Sequence, residues 1–187
     1  FIAVSVAFIF NLKAFSQVEI ADTYNLCDGY GAETTRSIFS NSPNENTQFG
    51  FYLSLNKVNS VDHWVIHITP LTTYPVDISF DGKVLIKTNK SNVIELKIDN
   101  ADDGKRSQDV SINGKNYNLF ISGAHCTINV SQLNQLLNEG ITKIRIQTEP
   151  NGFIEQEYSN SILVQFLQSA HDILLEKLTP INIYDRF

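Results

Sequence analysis

From Phe49 onward, apolar and polar side chains alternate with a period of two. Phe49, Phe51, Leu53 and Leu55 are separated by Gly50, Tyr52 and Ser54, and Trp64, Ile66 and Ile68 by Val65 and His67. Successive side chains of a strand point to opposite faces, so the pattern predicts strands with one buried side. Ile94, Leu96 and Ile98 repeat it, as do Cys126, Ile128 and Val130. An amphipathic helix would instead place its apolar residues three and four apart.

Turn chemistry sets how such strands connect. Asp81-Gly82 follows Val76, Ile78 and Phe80; Asn113-Gly114 precedes Tyr117 to Ser122; Asn151-Gly152 precedes Phe153 to Tyr158. Asn-Gly and Asp-Gly accept the positive φ that a type I′ turn requires, so each dipeptide predicts a hairpin and an antiparallel pairing. Two helices interrupt the strands. A short one is expected from Ser131 as its cap to Gly140, with Leu133, Leu136 and Leu137 on one face. A longer one is expected over 159–178, with Leu163, Phe166, Leu167, Ala170, Ile173 and Leu174 along one stripe. The expected fold is mainly β: an antiparallel β-sandwich or strongly curved sheet of about eight to ten strands, with the C-terminal amphipathic helix packed on it. The alternative is an α+β fold with helices on one side of a single sheet.

The first residues follow a different grammar. Phe1 to Phe10 is an apolar run broken only by Ser5, and Ala14 and Ser16 stand at the spacing that a signal peptidase accepts. Residues 1–16 therefore read as a signal peptide remnant, with Gln17 as the mature terminus and the protein secreted or periplasmic. At about 20 residues needed for a helical span, the run is too short to cross a bilayer, and no stable membrane span is expected in the mature chain. Residues 17–48, polar and rich in Asn, Ser, Thr and Gly, form a loop-rich lead-in; 49–187 form a single β-rich domain. With 42% hydrophobic residues and twelve Phe, the chain has enough apolar material to bury a core without metals or disulfides. The overall order is similar to that of many exported bacterial proteins.

The formal charge of −6 repels phosphate backbones, and no basic cluster exceeds Lys105-Arg106, so nucleic acid is not an expected partner. Export permits one disulfide between Cys27 and Cys126; two separate thiols fit the spacing equally well. His125 and Cys126, as neighbours in a strand, point to opposite faces and cannot form a dyad. His63 and His67 have the interval that shares a zinc ion on a helix, but on a strand it separates them by about 13 Å. Asp99 to Gly104 has the composition of a calcium loop without its ligand spacing, because Ala101 stands at the third position. Glu155 and Glu157 share one face of their strand, where a solvated edge accounts for them.

No catalytic constellation or cofactor motif stands out. The expected role is therefore an exported non-catalytic binding or accessory protein of the bacterial envelope, meeting a protein or glycan partner through Tyr52, His63 and His67. Two alternatives are a periplasmic hydrolase with a carboxylate-based site and an inhibitor or immunity-like protein. The hydrolase requires a pocket with converging acids, one of raised pKa.

Overall fold

The computed structural model describes residues 18–35, 37–39, 47–102, 107–112, 115–150, 152–158 and 162–178. The proposed signal peptide lies outside them. In chain order the strands are β1 (Ile20–Leu26), β2 (Gly29–Thr34), β3 (Ser37–Phe39), β4 (Thr47–Val58), β5 (Val61–Thr72), β6 (Lys83–Thr88), β7 (Val93–Lys97), β8 (Asn100–Asp102), β9 (Ser107–Ile112), β10 (Lys115–Ile121) and β11 (Gly123–Ile128). Helix α1 (Val130–Glu139), strands β12 (Ile141–Thr148) and β13 (Gly152–Glu157), and helix α2 (Ile162–Leu178) follow.

All ladders are antiparallel and fall into two sheets, of nine and four strands. The first is built on the β4–β5 hairpin, paired from Val58↔Val61 to Thr47↔Thr72. β2 and β3 share the free edge of β4, and β1 lies beyond β2. β10 and β11 share the other edge of β5, with β9 and β8 beyond them. The second sheet has the order β13-β12-β6-β7. Among the described residues the architecture is therefore mainly β with two sheets and two helices, and the single-sheet alternative does not hold.

The turns depart from the sequence expectation in instructive ways. The hairpin at the centre of the first sheet turns on Asn59-Ser60, both at positive φ (50° and 65°), a type I′ turn without glycine. Asp81-Gly82 is not a hairpin. Ile78 faces Thr148 and Val84 faces Ile146, so the chain keeps its direction along β12 and residues between them bulge outward. Gly82 N–H closes this bulge on Ser79 O at 3.0 Å, with Asp81 at φ 60°. Phe80, within the bulge, is exposed, while Val76 and Ile78 before it are buried. Ile112↔Lys115 pairing confirms the β9–β10 hairpin, whose turn residues Asn113-Gly114 lie outside the described residues. The β12–β13 hairpin also forms, but Gly152 already pairs with Thr148, and the connection is Glu149-Pro150 and the residue after it.

Both helices form where the apolar stripes place them. The cap of α1 is Asn129, two residues before the expected Ser131: its side chain accepts from Gln132 N–H, and the Gln132 side chain accepts in return from Asn129 N–H. Val130 is thereby the first helical residue and exposed, not a strand residue of the core. Gly140, at φ 76°, ends the helix as expected.

The inner faces of the two sheets and both helices share one core. The first sheet contributes the rows Leu55–Trp64–Ile128, Leu53–Ile66–Cys126 and Phe51–Ile68–Ala124. The second contributes Val84, Ile86, Ile94, Leu96, Ile144, Ile146 and Ile154. Leu163, Phe166, Leu167, Ala170 and Leu174 of α2 close it, packing toward β2 and β4. Each fully buried side chain of this size stabilises by about 1.5–3 kcal/mol relative to exposure. Two contacts pin the helical layer: Trp64 stacks on His171 at 5.0 Å, and Tyr30 Oη donates to Leu178 O at 3.3 Å. Among the described residues no helix is long and apolar enough to cross a membrane.

Candidate functional site

With Phe51, Leu53 and Leu55 turned inward, alternation sends Tyr52, Ser54 and Asn56 to the outer face of β4, and His63, Val65 and His67 to that of β5. Register then decides which of them meet. Tyr52 pairs with His67, and His67 with His125 of β11, while Asn56 pairs with His63. The sheet thus brings Tyr52 and His67 together and keeps His63 apart, exposed and four residues along the strand.

The central group is tightly connected. Tyr52 and His67 stack with ring centroids 4.0 Å apart and planes 4° from parallel. Ser54 Oγ lies 2.8 Å from His67 Nε2, His67 Nδ1 lies 2.5 Å from His125 Nδ1, and His125 Nε2 lies 3.0 Å from Asp102 Oδ2. One arrangement of protons satisfies all three contacts with neutral imidazoles. The Asp102 carboxylate accepts only, so His125 donates from Nε2 and its Nδ1 carries the lone pair. His67 then donates from Nδ1, and its Nε2 accepts from the Ser54 hydroxyl. Three hydrogen bonds run in one direction from Ser54 to Asp102, each fixing the tautomer of the next ring.

Two glycines make room for this group. Asp102 lies opposite Gly123, two residues before His125. A Cβ on Gly123 would stand 2.6 Å from Asp102 Oδ2 and 3.0 Å from His125 Nε2, so its absence lets the carboxylate lie across β11 onto the imidazole. A Cβ on Gly31 would collide with the Tyr24 ring and the Asn56 amide. That space lets Tyr24 Oη donate to Asn56 Oδ1 at 2.7 Å. Burial pushes the Tyr24 phenol above its ordinary pKa, with the Ser54 hydroxyl opposing and Glu33 and Asp22 adding to the rise. The site is therefore anchored in β1, β4, β5, β8 and β11 at the middle of the larger sheet.

Ser54 is only 2% exposed. Its hydroxyl orients His67 and is not presented to a substrate as a nucleophile would be. What the arrangement offers to a ligand is a pair of fixed imidazoles, a stacked phenol and a carboxylate.

The cysteine pair does not form a disulfide. Cys27 is exposed in the β1–β2 turn, while Cys126 is buried on the inner face of β11. Three strand spacings separate β11 from β2, about 14 Å, whereas a disulfide requires Cα atoms within about 7 Å. Burial, reinforced by Asp99, pushes the Cys126 thiol up to about 12. His125, its neighbour in sequence, faces the other side of the sheet, as alternation requires.

The outer face of the second sheet is of another kind. Lys143 Nζ reaches Glu155 at 2.7 Å and Glu157 at 3.3 Å, and Arg145 forks onto Glu155 at 2.7 and 2.8 Å. Leu85, Lys87, Val93, Lys143 and Arg145 line an open groove of about 300 Å³. Lys143 and Arg145 hold the Glu155 carboxyl below its ordinary pKa. Asn92 and Thr88, donating to Glu139, lower that carboxyl as well. Both shifts run opposite to the raised pKa that an acid catalyst requires.

Ser54, His125 and Asp102 are the members that the sequence reading did not single out. In the sequence His125 stands out only as the neighbour of Cys126, and Asp102 only within an acidic turn. The pairing of β8, β11 and β5 that unites them joins segments far apart in the chain, and no local signal carries it. No protein-family model matches the chain, and neither a curated protein nor a solved structure is significantly similar to it.

Proposed function

We propose that this is an exported, non-catalytic binding or accessory protein of the bacterial envelope that meets a protein or glycan ligand on the outer face of the larger sheet, around Tyr52 and His67. One observation carries the reading: the Tyr52–His67 stack is held by the directed chain from Ser54 to Asp102. A folded domain does not require such a chain on its solvent side, because the inner face already supplies the packing. Fixing aromatic and polar groups before a ligand arrives lowers the entropy cost of binding, and aromatic side chains are favoured anchors of recognition surfaces. Support for export comes from the order of residues in 1–17.

The test is binding of the mature protein to a glycan array and chemical cross-linking in envelope extracts, each with wild type, Tyr52→Ala and His67→Ala. Loss of a wild-type ligand in both variants is expected, with the fold checked by circular dichroism. Retention of every ligand by both variants would refute this placement. A mature N-terminus upstream of Ala14, read by mass spectrometry, would refute the proposed cleavage site.

A further inference from the structure

His67 and His125 stand directly opposite each other on neighbouring antiparallel strands, where Cβ atoms are about 4.5–5.5 Å apart. Each ring presents Nδ1 to the other, and the two atoms lie 2.5 Å apart. On the far side of each ring, Nε2 is engaged by an oxygen: Asp102 Oδ2 for His125, Ser54 Oγ for His67. Convergent nitrogens in front and oxygens behind form the two-shell pattern that orients imidazoles around a metal. We infer that the His67–His125 pair is a transition-metal site, and that its preferred ion is Cu(II).

Ligand number and type favour the ion. Among the described residues no group of three or more His, Cys, Asp or Glu could hold a metal, whereas protein zinc sites use three or four protein ligands. Two imidazoles with water oxygens suit the tetragonal Cu(II) and Ni(II) ions. Cu(II) also heads the affinity order for imidazole sites. Water would fill the remaining positions.

The proton balance closes. In the neutral chain His67 carries its proton on Nδ1; coordination needs that lone pair, so the proton relocates to Nε2 through solvent. The Ser54 hydroxyl then turns from donor to acceptor, which a hydroxyl can do and a carboxylate cannot. His125 already carries its proton on Nε2, facing Asp102, and needs no rearrangement. No net proton is released.

The inference rests on the binding face described above and gives it a ligand class, yet the two readings fail separately. The experiment is Cu(II) titration of the mature protein, followed by calorimetry and electron paramagnetic resonance, with Ni(II) and Zn(II) in parallel. A tetragonal signal split by two equivalent nitrogens is expected, with affinity in the order Cu(II), Ni(II), Zn(II). His67→Gln and His125→Gln should each weaken Cu(II) at least tenfold, Asp102→Asn by about tenfold, and His63→Gln not at all. All variants share one amino terminus, so copper held there cancels from the comparison. Equal copper affinity in wild type and His125→Gln overturns the site. Should both histidine variants unfold, the wild-type spectrum decides: fewer than two coupled nitrogens overturns it. Copper binding that survives in Tyr52→Ala while that variant keeps every other ligand removes the binding reading alone. Absent copper binding, with ligands lost in Tyr52→Ala, removes the metal inference alone.

Discussion

The outer faces of the two sheets are both polar and both built on strands whose other side lies in the shared core, yet they are organised differently. On the four-stranded sheet, long cations reach across to exposed carboxylates: Lys143 to Glu155 and Glu157, Lys83 to Glu95, and Lys97 to Asp81. Such pairs form in water, cost side-chain entropy and are screened by salt, so they stabilise little. On the nine-stranded sheet, short side chains and flat rings are joined by hydrogen bonds, and its members are mostly half-buried: the His125 side chain is 18% exposed and Ser54 nearly sealed. A network of that kind is costly to leave half-satisfied. The contrast separates a face that solubilises from a face that holds groups in place.

The largest effect should appear where the two sheets are alike. Ile66→Ala, between Leu53 and Cys126, and Ile144→Ala, on β12, each remove a fully buried side chain from the common core. Each should cost about 2–5 kcal/mol in urea denaturation. A loss confined to one of them would show that the sheets do not share a core, and the comparison would then be between two separate folds.

The next effect should divide the faces. His67→Ala removes the Tyr52 stack and the imidazole partner of both Ser54 and His125, and losing partners in such a half-buried network costs about 1–3 kcal/mol. Lys143→Ala strands only exposed carboxylates and should have the smaller effect, one that disappears in about 1 M salt, where the screening length is about 3 Å. Equal losses for His67→Ala and Lys143→Ala in high salt would erase the distinction.

Gly123→Ala sharpens it further. The added methyl meets Asp102 and His125 side-chain atoms and no backbone, and Asp102 is 67% exposed and able to swing out. Gly123 is itself buried, so the stability cost should be measurable but no larger than that of His67→Ala, about 1–3 kcal/mol for a lost partner. The His125 imidazole nitrogens should also shift in ¹⁵N spectra as the carboxylate leaves. Unchanged shifts would mean that Gly123 does not make the space argued for it.

What could be read from the sequence follows from the range of the interactions. The strand pattern at Phe49 to Leu55 and Trp64 to Ile68, and the stripe of α2, depend on side chains a few residues apart, and they hold. Asp81-Gly82 misled because a dipeptide reports what φ values are accessible, while the partner of the flanking strand is chosen by β12, some sixty residues on. Asn59-Ser60 was missed for the complementary reason: β4 and β5, paired along their whole length, impose positive φ on a serine. At the site, Tyr52 and His67 were recognised as outward-facing aromatic and imidazole groups. Their meeting with His125 and Asp102 depends on register between segments 58 and 23 residues apart in the chain, about which alternation says nothing beyond the face.

The smallest effect, and the one that tests the solubilising face directly, is its response to pH. Lys143 and then Arg145 depress the folded-state pKa of Glu155 below the ordinary 4.5. A depressed carboxylate contributes stability that is present above 4.5 and is lost as pH falls through the folded value. Lys143 is shifted the opposite way, above 10.5, chiefly by its hydrogen bond to Glu155. Its contribution is present below 10.5 and is lost as pH rises through the higher folded value. The ladder should thus be insensitive to pH across the neutral range, with a weak loss at each extreme. Glu155→Gln should flatten the acid limb of a melting-temperature profile below about pH 4.5 and leave the neutral region unchanged. A Glu155→Gln profile with an unaltered acid limb at low salt would show that these ion pairs are geometric neighbours without thermodynamic coupling.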